Sequence, residues 1–361
     1  MSRSTRVGAR RGAPRTLWLL ALALPLAAAR CEAPLEGPAE AHLSEVRLSG
    51  EALGTVWAVT LASPEADALD RKALRRRVMQ TLDRVDRSMS HWREDTELSR
   101  FNRDLDAGNF RFSPEMRRVV AAALTLARET AGAFDPTVGP LVAAWGFGPR
   151  AASEDPGERE IARLRERVGW QRLTWDAQGR LVRRAPGVEL DLSAIAKGYA
   201  ADAIAQALAA DQPTGVLVEV GGEVRAFGTA ADGNPWRVGV ESPVAPGSQL
   251  ETVVTLTGAA LATSGDYRQV RVSDGKARSH ILDPRSGKPL ANRVASASVI
   301  APTCMEADGV ATALMVLGPE AGLAWVEERP WLEALVLVRD GERIAERHAS
   351  SGWARWVSAQ D

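Results

Sequence analysis

The chain has 361 residues, 45% hydrophobic and 25% charged, with a formal net charge of −1; that balance suits a folded protein with a substantial core and excludes disorder as its main state. Removing residues 1–29 takes five of the 45 basic side chains and leaves 40 against 46 acidic ones, about −6, which gives no support for nucleic-acid binding. Cys31 and Cys304 are the two cysteines, too few for an internal disulfide framework, and Cys304 reads as a small buried residue.

Residues 1–15 carry five arginines and no acid, and the apolar run LWLLALALPLAAA follows at 17–29. This pattern predicts a secretory signal over 1–29, too short to span a bilayer comfortably, and hence an exported protein. Ala27-Ala28-Ala29 suits ordinary cleavage, whereas Cys31 suggests lipid attachment and Arg30 before it argues against that route. Arg10-Arg11 is a weak sign of twin-arginine export. A linker over 30–45, rich in Pro, Ala and Glu at about 32–42, leads to a folded domain at 46–361.

LGTVWAVTLA at 53–62 alternates and predicts a strand. Residues 68–89 have helical periodicity, with arginines on one side that read as a solvated face over a core-facing stripe. Ser113-Pro114 opens a helix through Thr130, which Gly132 ends. QRLTWDAQGRLVRR predicts a hairpin, and LDLSAIAKGYAADAIAQAL a strand closing at Asp191 and running into a helix. GVLVEVGGEVRAFG predicts two strands around a glycine turn. SASVIAP at 296–302 is strand-like, and Thr303 with Glu306 forms a capping-box signature for a helix that Gly318-Pro319 ends. Adjacent strands without intervening helices favour an α+β fold over a doubly wound parallel sheet.

Three groups of residues carry chemistry. Asp308 and Thr312 project from one helix face among Val310, Ala311, Ala313 and Leu314, and a carboxylate facing a packed interior needs a partner. Both side chains are oxygen ligands, which a hard cation such as Mg²⁺ prefers, and the lack of a His/Cys cluster disfavours zinc. The helix alone leaves open the commoner arrangement, Thr312 bonded back to its own backbone and Asp308 to an arginine. In LDLSAIAKGYAAD the corner at Ser193-Ala194 has backbone groups able to meet a ligand or an ion, though a plain capped helix fits equally well; no Walker loop or GxGxxG spacing is present. LATSGDYRQV and SHILDPRSGKP, joined across a hairpin, are dense in groups that bind phosphate or move protons, His280 among them, although a lone histidine beside a turn is more often structural. Lysine and tyrosine are scarce, with four and two in the chain, which makes Lys197 and Tyr267 more informative.

Taken together, LGTVWAVT, MSHWREDTELSRFN, GAFDPTVGPLVAAWGFG, LDLSAIAKGYAAD, VEVGGEVRAFG, ALATSGDY, SHILDPRSGKP and EADGVATAL resemble, in order over nearly all of 50–320, the ApbE-type FAD:protein FMN transferases. The resemblance implies one α+β catalytic domain with mainly antiparallel sheets and flanking helices. It implies Mg²⁺-dependent transfer of the FMN half of FAD to a threonine hydroxyl of a target flavoprotein, such as a redox-driven ion-pump subunit, with release of AMP. Flavin contacts would come from Leu53, Trp92, Ala133, Phe134, Asp135 and Asp191, and Lys197, Ser264, Gly265 and Tyr267 would also lie on the FAD side. The metal would be held by the Ala194 carbonyl, Asp308 and Thr312; His280 would sit by the reacting phosphate as base, with Asp308 also counted as catalytic. The chain departs from many relatives at Leu53 (methionine), Trp92 (tyrosine) and Ser193 (glycine), and Trp92 keeps a flat face for stacking. Such an enzyme works on the periplasmic side of a bacterial inner membrane and would touch the membrane only through a lipid at Cys31, should that route and not ordinary cleavage be taken. The competing expectations are an FAD pyrophosphatase, a non-catalytic flavin-binding lipoprotein and a purely structural periplasmic domain.

Overall fold

The computed structural model describes residues 44–104, 109–152, 154–267, 270–273 and 276–358. The expected export segment, Cys31 and the linker up to residue 43 lie outside the described residues. The frame is an eight-stranded sheet of β1 (Ser44–Ala52), β2 (Thr55–Ser63), β3 (Gly215–Val220), β4 (Glu223–Gly228), β5 (Ala260–Gly265), β6 (Val294–Ala301), β7 (Glu333–Asp340) and β8 (Arg343–Ala349). The strands stand side by side in chain order, and every neighbouring pair is antiparallel. Most of the remaining described residues are inserted into the connections of this meander. Six helices fall between β2 and β3: α1 (Arg71–Met89), α2 (Glu97–Arg103), α3 (Pro114–Glu129), α4 (Gly139–Ala144), α5 (Glu158–Arg165) and α6 (Ala196–Ala209). Two more, α7 (Cys304–Leu317) and α8 (Pro319–Glu327), join β6 to β7. The class is α+β with antiparallel sheets, as the sequence led one to expect.

Burial explains the strand patterns. On β2, Trp57, Val59 and Leu61 alternate into the helical side of the sheet. β6 is buried at every residue, because Ala297, Val299 and Ala301 face the helices while Ile300 faces a hairpin of 236–241 and 250–256 on the other side. A strand covered on both faces loses the in–out alternation of a half-exposed one, and here even Ser296 and Ser298 are buried.

The structure changes two sequence expectations. The arginines of α1 are more than a solvated face: Arg71 donates to the Arg47 carbonyl at 2.7 Å and Arg75 to the Ser49 carbonyl at 2.8 Å, closing outward groups of the edge strand β1. The segment before α6 is extended but belongs to no sheet, so Asp191 does not close a strand. Its backbone is satisfied by the Asn102 side chain, which both donates to and accepts from Leu190 at 2.8 Å, and by the bond from Asp191 N–H to the Pro136 carbonyl at 2.7 Å. Among the described residues no helix is long and apolar enough to cross a membrane.

Candidate active site

The sheet has a step in it. Trp57 pairs with Val220 and Val224 with Leu261, so the β1–β2 turn and the β3–β4 turn share one end. There β5 runs on, and Ala262–Gly265 pair with β6 alone among the described residues. Leu53 lies in the first turn with φ +52°, and Gly221 of the second donates its N–H to the Val56 carbonyl at 2.9 Å.

Helices α6 and α7 pack along this step, and their approach depends on Gly198. A Cβ there would be driven into the Cys304 carbonyl, 2.6 Å from its carbon and 2.8 Å from Asp308 Cβ. The contact puts Gly198 N–H 3.0 Å from Asp308 Oδ2, with Asp308 only 3% exposed. Lys197 Nζ lies 3.0 Å from Glu223 Oε1 and 3.7 Å from Asp308 Oδ1. Asp308 therefore faces a backbone N–H and a lysine, not the arginine that a plain helix would suggest. Thr312 Oγ1 sits 3.1 Å from Ser264 Oγ on the part of β5 beyond the step. Asp202 of α6 caps α7 by accepting from the N–H groups of Cys304 and Met305, both at 2.9 Å, and Thr303 Oγ1 accepts from Glu306 N–H at 3.2 Å. The Glu306 carboxylate is used elsewhere, accepting from Trp331 Nε1 at 2.9 Å, so only half of the expected capping box forms. Cys304 is buried and free.

The donor set decides which cation fits. Among the described residues no group of three or more His, Cys, Asp or Glu could hold a metal ion. The Asp308 carboxylate and the Thr312 and Ser264 hydroxyls instead offer a few oxygens, with the Ala194 corner just before Gly198 in the chain. A few protein oxygens of this kind are the donors a hard cation such as Mg²⁺ takes, and they do not suit zinc.

Trp92 presents an aromatic face to solvent, 69% exposed, its ring 5.6 Å from that of His91. His91 Nδ1 is 3.6 Å from Asp191 Oδ1, and that oxygen also accepts from Ser193 N–H at 2.9 Å and Ser193 Oγ at 2.6 Å. Burial alone would raise the Asp191 pKa, but His91 and Ser193 outweigh it and bring it down to about 2. Burial likewise pulls His91 down, and Asp191 overcomes this to leave it raised. His91 was not singled out from the sequence, although it stands in MSHWREDTELSRFN and is one of four histidines.

The Ala133-Phe134-Asp135 run is differently placed. Ala133 and Phe134 pack into the core, and Asp135 is occupied by Thr137 N–H at 2.8 Å, Thr137 Oγ1 at 2.6 Å and Trp170 N–H at 3.0 Å. Burial raises the Asp135 pKa against those bonds. This run can thus offer a ligand mainly its backbone, and the bond from Asp191 N–H to Pro136 brings it beside Asp191. Gly265 is needed by Tyr267, since a Cβ there would lie 2.8 Å from Tyr267 Cδ1. His280 follows the hairpin of Val270–Ser273 and Lys276–Ser279, with the Phe147 ring set edge-on at 6.3 Å.

Known proteins resemble the chain in sequence and in fold. The ApbE family model matches residues 53–336. A Vibrio cholerae protein named FAD:protein FMN transferase is 39% identical over 342 residues, 94% of this chain and 99% of its own length. A solved structure titled flavin transferase ApbE from Vibrio cholerae matches with a TM-score of 0.79 at 38% identity, covering 87% of this chain and 99% of that one. The apo form of Pseudomonas stutzeri flavinyl transferase ApbE matches at 0.79 and 34% identity, covering 88% and 98%.

Proposed function

The chain belongs to the ApbE family, and from that membership we propose that it transfers the FMN half of FAD to a threonine hydroxyl of a target flavoprotein, with Mg²⁺ and release of AMP. The observation that carries this reading is the meeting of α6, α7 and the end of β5, where Gly198 N–H and Lys197 face the Asp308 carboxylate and Thr312, one turn further along the same helix, meets Ser264 beyond the step in the sheet. Phosphoryl transfer asks a protein mainly for positioning and for neutralisation of spreading charge, and this corner supplies groups for both.

In the proposed reaction a bond forms between the threonine Oγ and the phosphorus of the FMN half. The bond from that phosphorus to the bridging oxygen breaks, and AMP leaves with the electron pair. His280 accepts the hydroxyl proton. Asp308, Thr312 and the Ala194 carbonyl would hold Mg²⁺, which when bound supplies neutralisation of the diphosphate charge. Trp92 offers its exposed face to the flavin ring, and Asp191, held ionised by His91 and Ser193, offers an acceptor beside it. Leu53, the 133–135 backbone and Tyr267 complete the FAD side. Export through 1–29 would place the enzyme on the periplasmic side of the inner membrane, with Cys31 as the point of any lipid anchor.

The test is to incubate the protein with FAD, Mg²⁺ and a threonine-bearing target domain and to look for covalent flavin fluorescence on the target. Labelling is the expected result. Free FMN and AMP without labelling would replace the reading with hydrolysis, and bound but unchanged FAD would replace it with a carrier.

A further inference from the structure

On the hairpin that precedes His280, Arg271 and Arg278 stand opposite each other on neighbouring strands. Two guanidinium groups so placed repel unless something neutralises them. Asp155, from a segment far upstream, does so. Its Oδ1 lies 3.4 Å from Arg271 Nη1, and its Oδ2 lies 3.1 and 3.0 Å from Arg278 Nε and Nη2. The carboxylate is only 15% exposed, and partly buried pairs of this kind hold geometry better than surface ones.

The same upstream segment grips the chain at further points. Arg271 Nη1 also donates to the Trp145 carbonyl at 3.0 Å. Gly146, at φ +85°, has no room for a side chain there, since a Cβ would lie 2.8 Å from Arg271 Cζ. Beyond His280, Trp145 Nε1 donates to the Gly287 carbonyl at 2.8 Å, and Leu282 packs with Trp145 and Phe147. Phe147 itself sets its ring against His280. Trp145, Phe147 and Asp155 therefore hold the chain on both sides of one histidine.

We propose that Asp155 is a positioning residue for His280: by drawing Arg271 and Arg278 onto one carboxylate it fixes the hairpin that ends immediately before the imidazole. The proposal rests on His280 being the proton acceptor of the proposed reaction. Asp155 touches neither FAD nor the target in this scheme and acts only through the hairpin.

The experiment compares D155A, D155N, R278A, H280A and the double variant D155A/H280A in transfer from FAD to the threonine-bearing target at saturating Mg²⁺. D155A and R278A are expected to lower kcat about 10- to 100-fold, the range reached by ångström-scale misplacement of a catalytic group. The KM for FAD should stay within about twofold, because the loss concerns the chemical step and not ground-state binding. The double variant should be no slower than H280A, since a residue acting through another adds nothing once that one is gone. Equal slowing by D155A in both backgrounds, a raised KM with intact kcat, or an unchanged kcat in folded D155A would overturn the proposal while leaving His280 as base. Wild-type rates in H280A would overturn the base assignment and this proposal with it. If circular dichroism shows D155A unfolded, D155N and R278A decide by the same criteria.

Discussion

Gly198→Ala tests the claim that the site depends on how closely α6 and α7 approach. Gly198 sits within a helix, where alanine would ordinarily stabilise by about 1 kcal/mol. Here the added methyl would lie 2.6 Å from the Cys304 carbonyl carbon and closer still to its oxygen, and relaxing the carbon alone to an ordinary contact of 3.4 Å asks the helices to part by at least about 0.8 Å. Overpacking of this kind costs about 1–3 kcal/mol. Stretching the 3.0 Å bond from Gly198 N–H to the Asp308 carboxylate removes up to about 1.5–3 kcal/mol more. Crowding outweighs propensity, and the expected net loss is about 1.5–5 kcal/mol in urea unfolding, with transfer down by about 100-fold as Asp308 is displaced. A variant as stable as wild type or more so, and fully active, would refute the close-approach argument.

Asp308→Ala should abolish transfer while circular dichroism and FAD binding remain, and exhaustive chelation of the wild type should do the same, with Mg²⁺ restoring activity; undiminished turnover under chelation contradicts the metal assignment. Trp92→Ala should weaken FAD binding about tenfold in a fluorescence titration, from lost stacking, while Trp92→Tyr stays close to wild type. The His91–Asp191 pair gives a pH signature. Because the His91 pKa is raised above 6.5, its contribution is complete below 6.5 and fades as pH rises through the folded value. Because Asp191 is depressed from 3.8 to about 2, its contribution is complete above 3.8 and fades as pH falls towards 2. The stability difference between wild type and His91→Ala should therefore be largest between 3.8 and 6.5 and shrink both as pH falls from 3.8 towards 2 and as it rises through the raised His91 value; a difference in urea unfolding that is the same outside that window as inside it tells against the ion pair.

Elements whose partners lie nearby in the chain were legible from the sequence. GVLVEVGGEVRAFG could be read as β3 and β4 because a glycine turn joins strands that pair with each other. The helix beginning at Pro114 showed itself through Ser113, which does accept from Met116 N–H at 3.3 Å. The extended stretch at Asp191 was misread as a strand because its hydrogen bonds go to Asn102, 88 residues from Leu190, and no local pattern announces a side-chain amide as partner. In the site, helical spacing was enough to put Asp308 and Thr312 on one face. It could not supply Lys197 or Gly198 as neighbours of Asp308, since that depends on how two helices separated by more than 90 residues cross. The edge-covering task of Arg71 and Arg75 was hidden for the same reason: a basic helix face looks alike whether it meets water or another strand's carbonyls.

The staggered sheet also bears on how this site can be interrogated. Where β5 outruns β4, the main chain of Ala262–Gly265 has a strand on one side only among the described residues, so its other side keeps amide and carbonyl groups for a partner outside the sheet, on the stretch whose Ser264 meets Thr312. Such groups survive every side-chain replacement. Alanine scanning will therefore under-report this stretch, whereas proline substitution or amide-to-ester exchange, which delete the N–H itself, would expose its share of the work.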